Sequence, residues 1–118
     1  MTTQEVANRL VELCRQGKMD ECQAELYADD VQSIEASDQM GPKVVSGKEG
    51  LKAKSVAFQE SVEAFHSATI SDPIVGGNSF AITWDMDATF KGMGRQAISE
   101  VCVYQVKDGK IILEQFFY

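Results

Sequence analysis

Hydrophobic residues recur at helical spacing in the first half of the chain and at every second position after about residue 60. Val6, Leu10, Leu13 and Cys14 follow Thr2-x-x-Glu5. That pair is a capping box, in which a hydroxyl and a carboxylate satisfy the free N–H groups of a helix start. Gly17 supplies a stop, so the spacing predicts a helix over about residues 3–16. Met19, Cys22, Leu26 and Tyr27 mark a shorter second helix, with Tyr27-Ala28-Asp29-Asp30 as its end and a turn. Val31 to Ala36 reads as a short strand, followed by a loop over Ser37 to Pro42. Ser46-x-x-Glu49 is another capping box and opens a third helix through Leu51, Ser55, Phe58 and Val62, fraying near residue 60.

The alternating half predicts strands over about 62–74, 79–91, 95–107 and 110–118. Gly76-Gly77-Asn78, Gly92-Met93-Gly94 and Asp108-Gly109 separate them, the last being a strong two-residue hairpin signal. The order is α-α-β-α-β-β-β-β, a single α+β domain over residues 1–118. Long antiparallel strands must bury one face, and the helices are the cover at hand. A curved sheet wrapped on helices leaves a hollow at one end, a usual place for a ligand.

The turns assign faces. Phe80, Ile82, Trp84, Met86, Ala88 and Phe90 alternate with mostly polar residues and point toward the helices. A three-residue Gly92-Met93-Gly94 loop sets Met86 opposite Glu100, Trp84 opposite Cys102 and Ile82 opposite Tyr104. A two-residue Asp108-Gly109 turn pairs Lys107 with Lys110, Cys102 with Gln115 and Glu100 with Phe117, with Ile111 and Leu113 also facing in. Opposed residues share a face, so an apolar inner wall carries Glu100, Tyr104 and Gln115. A one-residue bulge would instead turn Glu100 outward. His66 faces in if Val62, Ala64, Ala68 and Ile70 do; the opposite parity puts Phe65 in. Val101, Val103, Ile112 and Phe116 fall on the second face. No helix remains to cover it, which predicts a homodimer packed through the outer sheet face.

Composition narrows the possibilities. A formal charge of −7 argues against nucleic acid and anionic membrane surfaces, and no apolar run reaches membrane-spanning length. The N-terminus lacks a basic-then-apolar signal layout. Three cysteines without metal-like spacing and a single histidine argue against a zinc site, and fit a reducing cytoplasm with Cys14, Cys22 and Cys102 as core residues. The hairpin glycines lack the strand-to-helix setting that phosphate binding needs. No cofactor is expected.

Several motifs, in order, resemble the SnoaL-like branch of the NTF2-like superfamily. They are Gln16-Gly17-Lys18-Met19-Asp20, Tyr27-Ala28-Asp29-Asp30, Ser46-Gly47-Lys48-Glu49-Gly50-Leu51, Val106 to Ile111, and Glu114-Gln115-Phe116-Phe117-Tyr118. The resemblance spans nearly the whole chain. It implies a cystatin-like cone, three helices packed on a curved antiparallel sheet around an apolar pocket, often dimeric. The branch includes ketosteroid isomerases and polyketide cyclases, but the fold does not imply one activity.

The isomerases keep a base carboxylate at the end of the strand after the Ala-Asp-Asp turn, where Glu35 stands. Their helix-one tyrosine has no counterpart: that position falls on or near Leu10. Glu100 lies near their late-strand acid. The resemblance to the cyclases suggests Glu35 or Glu100 acting with His66. Glu35 would remove a proton beside a carbonyl, which an apolar setting favours by raising a carboxyl toward neutrality. It points inward if Val31 does and outward if Ile34 does. Glu100 would donate a hydrogen bond when neutral, or be a buried carboxylate satisfied by Tyr104, Gln115 or backbone. His66 and Tyr104 would position or polarise. Trp84, Met86, Cys102, Gln115 and Phe117 would wall a site for a small apolar molecule, a substrate or the ligand of a non-catalytic binder. Alternatively these side chains are core packing, His66 is a strand histidine at a partly exposed edge, and the chain is a dimeric interaction module with a filled core.

Overall fold

The computed structural model describes residues 1–39 and 41–118; Met40, within the loop read over Ser37 to Pro42, lies outside the described residues. Among the described residues ten elements follow in order. They are α1 (Thr3–Arg15), α2 (Met19–Leu26), β1 (Tyr27–Ile34), β2 (Val44–Ser46), α3 (Lys48–Ser61), β3 (Val62–Ile70), β4 (Ile74–Gly76), β5 (Ser79–Phe90), β6 (Gly94–Lys107) and β7 (Lys110–Phe117). The sheet order is β2-β1-β7-β6-β5-β3, with β4 beside β5. Neighbours are antiparallel except β1 and β7, which run parallel. Among the described residues no helix is long and apolar enough to cross a membrane.

The capping box of α1 forms as expected: Thr2 Oγ1 accepts from Glu5 N at 3.1 Å, and Thr2 N donates to Glu5 Oε1 at 2.9 Å. Val6, Ala7, Leu10, Val11, Leu13 and Cys14 bury one stripe of the helix against the sheet. Each large apolar side chain so buried contributes about 1.5–3 kcal/mol. Opposite lie Ile70, Phe80, Ile82, Cys102, Tyr104 and Ile111. All three cysteines are buried free thiols.

Several local expectations are corrected. Tyr27 to Asp30 is strand, not turn: Tyr27 leaves α2 already extended, because its ring is buried in the core and its backbone pairs with Ile111. Ser46 ends β2 instead of capping α3, and Gly47 at φ 83 takes the N-cap place without a side-chain bond. Its positive φ is one that glycine adopts at no steric cost. The strand read over 62–74 breaks into β3 and β4, since Asp72-Pro73 interrupts the ladder.

Two registers decide what lines the interior. In the β5–β6 hairpin Phe90 pairs with Gly94, so the connecting residues are Lys91, Gly92 and Met93. Glu100 therefore faces Trp84 rather than Met86, Cys102 faces Ile82, and Tyr104 faces Phe80. The slip keeps parity, and all three remain on the inner face. The Asp108-Gly109 turn pairs Lys107 with Lys110 as expected, with φ of 52 and 77 at its two central residues. Beyond it, however, Val106 pairs with Ile111 and Gln105 with Leu113, leaving Ile112 extra. This bulge reverses the parity of the rest of β7. Cys102 now faces Phe116 and Tyr104 faces Glu114, while Val103 faces Gln115 and Val101 faces Phe117. Gln115, Phe117 and Leu113, expected inside, lie on the outer face; Glu114 and Phe116 take the inner one.

Candidate functional site

Burial settles the parity of β1. Val31 and Ser33 are both fully buried, so Glu35, two positions on, continues the inner row just past the strand end. Its N–H donates to Lys43 O at 2.8 Å, which fixes the backbone there. The carboxylate is ion-paired with Lys54 of α3 and accepts from the Tyr118 hydroxyl at 3.1 Å. The side chains of Glu35 and Lys54 are 22% and 28% exposed, which places the pair at the solvent edge of the inner row rather than in the core. Lys54 reaches it because it follows the buried Leu51 by three residues and so shares its helix face. Its ammonium lies 5.0 Å from the centre of the Phe116 ring, a cation–π contact.

Behind this ion pair lies a buried carboxylate. Glu114 is 6% exposed and accepts two hydrogen bonds, from the Tyr27 hydroxyl to Oε2 at 2.5 Å and from the Ser33 hydroxyl to Oε1 at 2.8 Å. Ser33 Oγ in turn accepts from Lys54 Nζ at 2.9 Å. Burial pushes the Glu114 carboxyl up, against the pull of Tyr27, Ser33 and Lys54. Burial also holds the Tyr27 and Tyr104 hydroxyls well above the ordinary tyrosine range, with the charge of Glu114 adding to the effect at Tyr27.

Glu100 stands beside this chain on β6. Burial, then the nearby charge of Glu35, raise its carboxyl from 4.5 to about 7, while the Cys102 thiol and Lys54 pull it down. The thiol donates to Glu100 Oε1 at 3.6 Å, and burial beside that carboxyl pushes the thiol up, so Cys102 is packing and a weak donor. Around Glu100 the wall is open. Trp84, Met86 and Ile98 are only half-buried, and α3 buries Leu51 alone while Phe58 stays exposed. The structure thus brings Glu35 and Glu100 to one apolar surface with Lys54, Phe116 and Trp84.

Other sequence candidates go elsewhere. Tyr104 faces inward, but its ring lies 4.7 Å from that of Phe80, stacked in the core. His66 lies at an irregularity between the Phe65–Ala88 and Ser67–Asp87 pairs and is exposed. Its Nε2 is 2.8 Å from Thr89 Oγ1 on the outer face, so it does not meet the two glutamates. A shallow groove of about 440 Å³ runs between α1 and Asp72-Pro73, but Arg15 there is tied to Ile70 O and Asp72.

Sequence reasoning missed Glu114, Ser33 and Lys54. A signal for the first existed: Ile111-Ile112-Leu113 is three apolar residues in a row, which strict alternation on a half-buried strand does not produce.

A SnoaL-like domain model matches residues 1–118. The chain belongs to the SnoaL-like domain family. A SnoaL-like protein of Mesorhizobium loti, provisionally named a polyketide cyclase, is 40% identical, covers 100% of both chains and superposes with a TM-score of 0.93. A cystatin-like protein of unknown function from Xanthomonas campestris is 18% identical over 99% of this chain and 90% of its own, TM-score 0.84. A Catenulispora acidiphila protein with a ketosteroid isomerase-like fold, solved with trimethylamine, is 18% identical over 82% and 72%, TM-score 0.67. The last two speak for the fold alone. No curated protein matches the chain. The order of helices and strands in this SnoaL-like domain is that of the cystatin-like and NTF2-like folds.

Proposed function

We propose that the chain carries out cofactor-independent acid–base chemistry of the isomerase or cyclase type on a small, mostly apolar carbonyl compound. The observation that carries this reading is the pairing of two unlike carboxyl groups on one apolar wall. Glu35 is ion-paired with Lys54 and accepts from Tyr118, while burial and the charge of Glu35 raise Glu100 to about 7. Of two neighbouring carboxyls, one ion-paired and one raised by burial, the raised one is suited to act as an acid and its partner as a base. Glu35 would break a C–H bond beside the carbonyl and hold the proton. The electron pair would move onto the carbonyl oxygen, which the neutral Glu100 carboxyl meets with a hydrogen bond. Return of the proton to another carbon would complete an isomerisation. Trp84, Met86 and Phe116 would receive the apolar part of the compound. Lys54 would supply positive charge near the developing anion.

The test is solvent deuterium uptake into a panel of cyclic ketones and enones. Glu35→Gln should cut the catalysed exchange by about 10²–10⁴-fold, the usual yield of a general base. Equal exchange in wild type and variant would sink the reading. A ligand retained in native mass spectrometry, with chemistry indifferent to Glu35→Gln, would favour a non-catalytic binder of the same apolar class.

We also infer a homodimer through the outer face. Val44, Val101 and Phe117 are 53%, 42% and 50% exposed there, flanked by half-buried Ile34, Val103 and Leu113. Such a patch on a sheet without helical cover suits a second copy. Sedimentation should give twice the chain mass, and Val101→Arg should return the monomer; a monomeric wild type at high concentration would refute the inference. The free buried thiols are in keeping with a reducing cytoplasm.

A further inference from the structure

The polar chain behind the Glu35–Lys54 pair has a direction. A serine hydroxyl has one proton to give, and Ser33 gives it to Glu114 Oε1 at 2.8 Å. Tyr27 gives its own to Oε2 at 2.5 Å. With its proton committed, Ser33 Oγ presents only lone pairs, and the Lys54 ammonium donates to them at 2.9 Å. The same ammonium pairs with Glu35. Lys54 extends from a helix that buries only Leu51, so the packing of α3 does little by itself to fix where that ammonium points.

We propose that Glu114 is a positioning residue: by accepting the Tyr27 and Ser33 protons it makes Ser33 an obligatory acceptor for Lys54, and so holds the ammonium against Glu35. A Glu114 side chain that donated toward Ser33 would take up one of its lone pairs and release the serine proton, so that Ser33 would no longer be committed to accepting from the ammonium. The bond from Lys54 to Ser33, one of three contacts of the ammonium alongside those with Glu35 and the Phe116 ring, would then be weakened. The consequence for chemistry rests on Glu35 being the base, since Lys54 sets where that carboxylate stands beside Glu100. The geometry of the chain does not rest on it.

The experiment measures hydrogen exchange at the Lys54 ammonium by nitrogen-detected NMR on the intact chain, with the Glu35 carboxyl titration as a second readout. Glu114→Gln offers one acceptor oxygen where the carboxylate offers two. Ser33→Ala removes the link but keeps the Glu114 charge. Each should speed exchange about tenfold or more, the factor that a lost charge-assisted hydrogen bond is worth. The double variant should be no faster than either, and Tyr27→Phe should stay close to wild type. Unchanged exchange in Glu114→Gln overturns the proposal. So does an effect of Glu114→Gln that Ser33→Ala fails to reproduce, or effects that add, because Glu114 would then act through its charge or the fold alone. If Glu114→Gln does not fold, Ser33→Ala exchanging no faster than Tyr27→Phe overturns it. Failure of Glu35 as a base appears separately, in the deuterium assay, and leaves the ammonium measurement standing.

Discussion

Glu114→Ala should destabilise the protein by about 2–5 kcal/mol, since two buried hydroxyls each lose an acceptor at a cost of about 1–3 kcal/mol. The loss has two parts. A small cavity opens in β7, and two hydroxyls, Tyr27 and Ser33, lose their acceptor in surroundings that exclude water. Tyr27→Phe in the alanine background removes one of those stranded groups. The double variant should therefore lose less than the sum of the two single losses. Urea unfolding of the four proteins checks both statements. A loss below about 1 kcal/mol for Glu114→Ala, or strict additivity, would mean that the hydroxyls find other partners and that the network contributes little.

Glu100→Gln should have the opposite sign at neutral pH. The Glu100 carboxyl lies above its ordinary value in the folded protein, 4.5 rising to about 7, so between those values the folded state keeps a proton that the unfolded chain has released. Stability from this group is fully present below 4.5, falls as pH rises through that window and is flat above about 7. The loss is on the order of 1–3 kcal/mol, allowing for the half-buried setting. Glutamine keeps the shape and a neutral donor but cannot ionise. Wild type minus Glu100→Gln should therefore slope downward across the window, with the variant the more stable protein at pH values above it. Parallel pH–stability curves would contradict this, and with it the view that Glu100 is neutral near pH 6. A residue that stabilises the fold when removed is one retained for another reason, and the acid role proposed above is such a reason.

The two carboxylates show where a sequence informs and where it stops. Helix periodicity, the capping box at Thr2 and the Asp108-Gly109 turn are local features. Their physics acts within a few residues, so α1, the last hairpin and the inner row of β5 were legible from the chain. Glu100 stayed inside despite a slipped hairpin, because a slip of even length preserves parity on a pleated strand. Gln115 and Phe117 did not, because the bulge at Ile112 inserts one residue and turns every later side chain over.

What the sequence determined by itself is the element order, the family and the presence of carboxylates on an alternating apolar face. Its alternation could not say whether Val31 or Ile34 points in; the tertiary structure decides for Val31, which is fully buried together with Ser33, although the ladder to β7 is irregular between Tyr27 and Gln32. Only that structure sets Lys54 from α3, Ser33 from β1 and Glu114 from β7 in one hydrogen-bonded line. The reason is physical: hydrogen bonds between residues 21 and 81 positions apart depend on register and helix placement, which no local pattern encodes. Register here turned on a single unpaired residue.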